Sequence, residues 1–271
     1  MLSAKTTRLA KNCPEDAREL EHDTENLVFR STISALAINS DYTNRSPEVR
    51  GGKLPRGLVN VVRSTCGVYS NTTTPNCDII TVSEVSSHNY ADKFARLIHY
   101  DAVIDQLSAG YDSIQTLWNP NIWSPVLGAG GALEVTLSYI SKYQLIKLQH
   151  KVTGHILLYG SVHLPHKNKR KQAWAFMKDA VEDMKQKHDI DAVLIGGDFN
   201  TSPDRIIEYS GNNLDVALTE EDGPTTQQNG RDDNFCIIQG CWTNPFVDTA
   251  IYSKETVFSH YPIAATLQYR E

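Results

Sequence analysis

The sequence predicts an α/β (α+β) protein of stacked β-sheets flanked by helices. Apolar runs rich in Ile, Val and Leu recur along the chain, as ISALAIN, CDIITVSEV, TGHILLYGSVHLP and DAVLIGGDFN, and they outnumber the helical patterns. Helical periodicity interleaves with these runs only occasionally, which suits sheets covered by helices better than a singly wound nucleotide-binding fold. No GxGxxG or Walker-type loop supports the latter.

Residues 1–28 are polar and charged and read as a leader outside the core, with AREL and ENL fragments able to form a short helix. Residues 29–271 read as one domain, a size that α/β folds commonly keep in one piece. ISALAIN (33–39) is a buried strand that ends on Asn39. The Gly-, Pro- and Asn-rich stretch 41–57 is a long loop, LVNVVRS a helical turn, and CDIITVSEV (77–85) a strand delivering Glu84 near its end. Weak periodicity between 105 and 135 places no element. LEVTLSYISKYQLIKLQH and TGHILLYGSVHLP read as strands, the second ending on His163. From Asn168 to Lys187, Trp174, Met177, Val181 and Met184 recur at three- and four-residue spacing, an amphipathic helix capped by Asn168. DAVLIGGDFN is a further buried strand leading to Asp198 and Asn200, and CIIQG, PFVDTAIYS and HYPIAATLQY close the chain as short strands.

Composition narrows the function. A formal net charge of −6 lacks the global basic footprint that gathers a polyanion from a distance, so a phosphate substrate must be handled locally. The one dense basic run is His166 to Lys171, and such runs are usually solvated surface. Five cysteines include no CxxC pair and no zinc spacing, while Cys66/Cys77 and Cys236/Cys241 are each close enough to form a short disulfide loop. The sequons at Asn44 and Asn71 suit a secreted protein, whereas the odd cysteine count argues for at least one free thiol, so the compartment stays open. No run nears the ~18 apolar residues of a membrane span, and no secretory signal is visible, as would also hold for a processed secreted form.

Six polar stations stand at or near strand ends: Asn39, Glu84, His163, Asp198 with Asn200, Asp248, and His260. Alone, an Asp after a strand is usually a turn residue and a His is usually a satisfied polar group. Together they form an inventory for metal-assisted phosphoester hydrolysis. Carboxylates suit Mg²⁺, which keeps several waters and takes substrate phosphate oxygens. One imidazole paired to a carboxylate can act on water while a second donates to the phosphoryl oxygen gaining charge.

GDFN, the VHLPH segment before it, the strand carrying Glu84, FVDTAIYS and the terminal SHYPI resemble the successive motifs of the endonuclease/exonuclease/phosphatase superfamily, the deoxyribonuclease I-like proteins, over residues 30–270. The resemblance implies a four-layer sandwich of two packed mixed β-sheets flanked by helices. It implies a hydrolase in which Glu84 is the principal Mg²⁺ ligand, with Mn²⁺ or Ca²⁺ as further candidates, and Asn39 is its neighbour at the metal and the phosphate. Asp198 would position or deprotonate the attacking water, Asn200 would bind phosphate, and His260 would be the catalytic histidine, oriented by Asp248. His163 stands where deoxyribonuclease I-like enzymes, sphingomyelinases and inositol phosphatases carry a His, which argues against the apurinic-site repair branch. One departure stands out: the family's usual Asp before the catalytic His is Ser259 here.

The expected activity is a Mg²⁺-dependent phosphodiesterase, a sequence-tolerant endonuclease acting on DNA before RNA and working as a monomer. The alternatives are a phospholipid or phosphoinositide phosphoesterase, or a catalytically weakened phosphate-binding homologue because of Ser259. Candidate substrate contacts are the basic run after His163, the loop 41–57 with Arg45, Arg50, Lys53 and Arg56, and stacking by Trp118, Trp123 or Trp242, for which core packing is the commoner use.

Overall fold

The computed structural model describes residues 32–40, 54–67, 75–85, 88–104, 113–128, 131, 133, 135–138, 142–211, 214–219, 221–230, 232–239, 242–253 and 259–269. The leader 1–28, Arg45, Arg50, Lys53, Cys13 and Cys241, and the side chains of Arg56, Asn168 and Trp242, lie outside the described set.

Alternating burial builds the layers. In β1 (Thr32–Asn39), Ile33, Ala35 and Ala37 face one apolar cluster while Leu36 and Ile38 face another, so the strand is buried on both sides. It belongs to a six-stranded sheet with β2 (Ile79–Val85), β3 (Asp101–Ile104), β4 (Ser113–Trp118), β12 (Trp242–Ile251) and β13 (Ile263–Tyr269), in the order β12-β13-β1-β2-β4-β3. The second sheet holds β5 (Trp123–Pro125), β7 (Tyr143–His150), β8 (Ile156–His163), β9 (Ala192–Asp198), β10 (Asp215–Val216) and β11 (Asp233–Gln239), in the order β10-β11-β9-β8-β7-β5, with β6 (Val135–Ser138) also pairing β7. Both sheets are mixed: β1/β2 and β8/β9 are parallel and the other pairs antiparallel.

Helices α1 (Leu54–Cys66) and α2 (His88–Ile98) cover the first sheet, packing Leu58, Val62, Phe94 and Ile98 on Leu36, Ile80 and Val82. Helices α3 (Arg170–Lys187) and α4 (Pro203–Tyr209) cover the second, where Trp174, Met177, Val181, Met184 and Ile206 meet Leu158, Val193 and Ile195. The four layers expected from the motif resemblance are present. A 3₁₀ turn over Lys167–Lys169 precedes α3, which puts Lys169 rather than Asn168 at the capping position, and the Lys169 side chain makes no capping hydrogen bond. Among the described residues, no helix is long and apolar enough to cross a membrane.

Apolar side chains dominate between the sheets, but a polar group is embedded there. Thr81 bonds Tyr159 at 2.9 Å and Ser161 at 2.8 Å, and Thr116 bonds Ser161 at 2.7 Å and donates to Gln144 Oε1. All five are buried. Burial pushes the Tyr159 phenol up, against the hydrogen bond to Thr81 that pulls it down, so the hydroxyl stays neutral. Trp118 and Trp123 are also core residues, which removes them as stacking surfaces. Cys66 and Cys77 form a disulfide joining the end of α1 to the segment before β2. Cys236 is a free buried thiol in β11, so the Cys236/Cys241 loop is not closed.

Candidate active site at the strand edge

Topology gathers polar residues along one edge. Because β1 and β2 run parallel, Asn39 and the end of β2 arrive together, with Asn39 beside Ser83. The parallel pair β8/β9 likewise sets His163 opposite Asp198. β11 runs antiparallel to β9, so its first residue, Asp233, lies on the same rung as Asp198. β13 starts opposite Ala37 near the end of β1, which carries His260, three residues earlier, past that edge.

Backbone geometry helps to aim these groups. The β2/β4 pairing is irregular between Val82 and Val85, and there Glu84 takes a positive φ of 57°. Asn200 is also left-handed, with φ 51°; its N–H donates to Asp198 Oδ1 at 2.7 Å and its side-chain amide to Leu164 O at 2.8 Å. Positive φ costs a non-glycine residue energy, and two such residues stand at this edge, one in the irregular end of β2 and one just after Asp198. Gly197 adopts φ 136°, and a Cβ there would lie 2.2 Å from Val162 O. Only glycine lets β9 approach β8 this closely just before Asp198.

Five expected residues converge. Asn39 Nδ2 donates to Asp198 Oδ2 at 3.0 Å and Glu84 Oε1 at 3.2 Å, joining carboxylates from the two sheets. His163 Nε2 lies 3.6 Å from Asp198 Oδ2 and 4.0 Å from Glu84 Oε1. His260 Nδ1 lies 4.0 Å from Asp198 Oδ2. Asn200 adjoins them through Asp198.

Asp248 does not join them. It pairs with Thr266 in the β12/β13 ladder, three residues short of the edge rung Ile251–Ile263, and its side chain is exposed. The carboxylate on His260 is Asp233, whose Oδ2 accepts from Nδ1 at 2.7 Å. Polar C-terminal strand ends do not point to Asp233, because β11 is antiparallel to β9 and brings its N-terminus to the same edge. The RDD preceding NFCIIQ was the available signal.

Charge crowding sets the proton affinities. Burial raises the Asp198 carboxyl, Asp233 adds repulsion, and His163, His260 and the Asn200 N–H oppose both. Burial alone would push the His260 imidazole down. Attraction and hydrogen bonding from Asp233, followed by Asp198 and Asp232, instead hold it up to about 10. In the metal-free protein His260 is therefore an imidazolium at neutral pH. Asp232 is raised by burial and by Asp198, against His260, Arg170 and His166. Arg170 also donates to Asn200 O, so the basic run is anchored to the turn after Asp198.

The donor set fits a hard divalent cation. Asn39 bridges the Glu84 and Asp198 carboxylates, Asp233 shares a rung with Asp198, and the Asp198 side chain is about 2 % exposed, so its charge calls for nearby cations. Among the described residues, Asp198, Asp233 and His260 form one group with ligand atoms all within 4.8 Å. In that group His260 Nδ1 is already bonded to Asp233. Glu84 retains some exposure, and Asn39, with Nδ2 directed to the carboxylates, would offer Oδ1.

No protein-family model matches the chain, and no curated protein sequence matches it at a significant level. Solved structures share its fold. TDP2 of D. rerio, complexed with single-strand DNA product, superposes with a TM-score of 0.65 at 14% identity, covering 88% of this chain and 99% of that one. The human Nocturnin catalytic domain with bound sulfate gives 0.62 at 14%, covering 89% and 95%. An endonuclease/exonuclease/phosphatase family protein from Bacteroides thetaiotaomicron gives 0.62 at 13%, covering 88% and 95%. At these identities the likeness establishes the fold.

Proposed function

We propose that this chain, which has the fold of solved endonuclease/exonuclease/phosphatase proteins, is a Mg²⁺-dependent phosphodiesterase cutting nucleic acid, DNA before RNA, without base readout. The observation that carries the reading is the convergence of Asp198, Asp233 and His260, with His260 hydrogen-bonded at 2.7 Å and held protonated. A neutral or cationic substrate has no use for an imidazolium at this strand edge. A phosphodiester, which gains charge on its oxygens in the transition state, does.

Glu84 would hold the cation, with Asn39 beside it. When bound, that cation would neutralise charge on the phosphoryl oxygens. Asp198 would orient the attacking water and accept its proton, for which a raised carboxyl affinity is an advantage. His260, with Nδ1 committed to Asp233, would donate its Nε2–H to a phosphoryl oxygen. His163, facing Asp198 and Glu84, would fix their relative placement. Asn200 would bind phosphate through the remaining hydrogen of an amide otherwise bonded to Leu164. Arg170 and its neighbours would offer backbone contacts free of sequence information.

The decisive experiment is conversion of supercoiled plasmid to nicked circles in Mg²⁺, with Mn²⁺ and EDTA arms and Asp198→Ala and His260→Ala proteins prepared identically. Metal-dependent nicking that falls ~10²-fold or more in each variant supports the reading. Intact plasmid with phosphate or phosphocholine released from lipid or inositol phosphates would replace it with the phosphoesterase alternative. Inactivity on both, with anion binding retained, would leave the binding homologue that Ser259 suggests.

A further inference from the structure

We infer that Thr225 is a positioning residue that holds both halves of the Asp233–His260 pair. Its side chain is 1 % exposed, and its Oγ1 accepts two backbone N–H bonds, from Asp232 at 2.9 Å and Asp233 at 3.1 Å. Its own carbonyl accepts the N–H of Tyr261 at 2.7 Å, on the segment that carries His260. One residue therefore contacts the backbone of the acceptor and the backbone next to the donor.

The surrounding turn makes this contact rigid. Thr225 N and Thr226 N both donate to Gly230 O, at 2.8 and 3.1 Å, and Gly230 N donates to Thr226 Oγ1 at 2.7 Å. Gln227 N donates to Ser259 O at 2.8 Å, and Thr226 pairs with His260 as an isolated bridge. His260 lies outside β13 and depends on this turn for its place. Asp233 is the first residue of β11, where the ladder holds the strand from one side only. A hydroxyl accepting two N–H groups at that point fixes the direction in which Asp233 leaves the backbone.

Valine has the shape of threonine but a methyl where the acceptor stands, so Thr225→Val frees both N–H groups without opening a cavity. Thr225→Ser keeps the acceptor. The kinetic consequence rests on the phosphodiesterase reading; the geometric one does not. Misplacing a proton-donating group by a fraction of an ångström to 1 Å lowers turnover toward ~10²-fold. Thr225→Val should therefore cut kcat by ~10-fold or more with KM within about threefold, Thr225→Ser should retain kcat, and Thr225→Val on an Asp233→Asn background should add little further loss.

Two readouts do not depend on activity. Proton NMR should show a low-field His260 Nδ1–H signal in wild type and Thr225→Ser that is lost or broadened in Thr225→Val. Hydrogen exchange in the wild-type protein should find the amides of Asp232 and Asp233 protected. The inference is overturned by a Thr225→Val protein that keeps the signal and kcat, by equal loss in Thr225→Ser, or by unprotected amides. If wild type cuts no phosphodiester, the reading of function fails while the NMR and exchange results still decide the role of Thr225.

Discussion

Asp198 and Asp233 are register partners across β9 and β11, two carboxylates on one rung at the end of a sheet. Like charges so placed repel, and the cost is offset by imidazoles on either side: His163 at 3.6 Å from Asp198 and His260 at 2.7 Å from Asp233. The rung is a local instability kept in place by its neighbours, a common property of sites built for chemistry.

Asp233, and not Asp248, should control His260. Asp233→Asn is expected to lower kcat by ~10² and to move the alkaline limb of the pH–rate profile toward neutrality, because the imidazolium loses its main partner. Asp248→Asn should stay within about twofold, since that side chain is exposed on β12. Steady-state rates from pH 6 to 10 compare the two, and the reverse pattern would restore the order expected from the motif alone.

The His260 proton also stabilises the fold. Its folded pKa of about 10 lies above the ordinary 6.5, so its contribution is fully present below pH 6.5 and is lost as pH rises through 10. Metal-free protein should show a urea midpoint that declines between those values, and His260→Gln a flatter one. Parallel declines would mean that the pair contributes nothing to stability.

Gly197→Ala should be severe. The new Cβ would meet the carbonyl of Val162, part of a backbone ladder that cannot rotate away, at a φ that L-residues avoid. A loss of about 2–4 kcal/mol in chemical denaturation is expected from strain and overpacking. A loss under about 1 kcal/mol would show that β8 and β9 can separate.

Reducing Cys66–Cys77 should weaken the fold but spare catalysis. The bridge spans a sequence separation of 11, for which loop-closure entropy gives ~3 kcal/mol. It precedes β2 at the end far from Glu84, and hydrogen bonds from Tyr100 OH to Cys77 O and Tyr252 OH to Thr65 O tie down the same region. The Cys66→Ser/Cys77→Ser protein should have a lower denaturation midpoint and kcat within about twofold.

Much of this site was legible in the sequence, because parallel strands deliver polar residues where their apolar runs stop, as at Asn39, His163 and Asp198. Two failures have a common physical origin in strand direction and register. Asp233 opens an antiparallel strand, and Asp248 follows an apolar Phe-Val in a strand whose ladder stops three residues later. The unplaced stretch 105–135 contains β4, SIQTLW, in which every residue is buried. Ser113, Gln115 and Thr116 break the expected alternation, and Thr116 does so because its hydroxyl finds partners on the opposite sheet.

An apolar seam between two sheets resists separation but offers little resistance to sliding. Moving one sheet by a residue, ~3.3 Å, exchanges one set of methyl contacts for another. Thr81, Thr116, Tyr159, Ser161 and Gln144 cannot be exchanged so cheaply, since each shift would strand hydroxyls in a dry interior. Asn39 and Glu84 ride on one sheet, and His163, Asp198 and Asp233 on the other. The 3.0 Å bond from Asn39 to Asp198 survives only at one offset, and the buried hydroxyls act as the detent that holds it there.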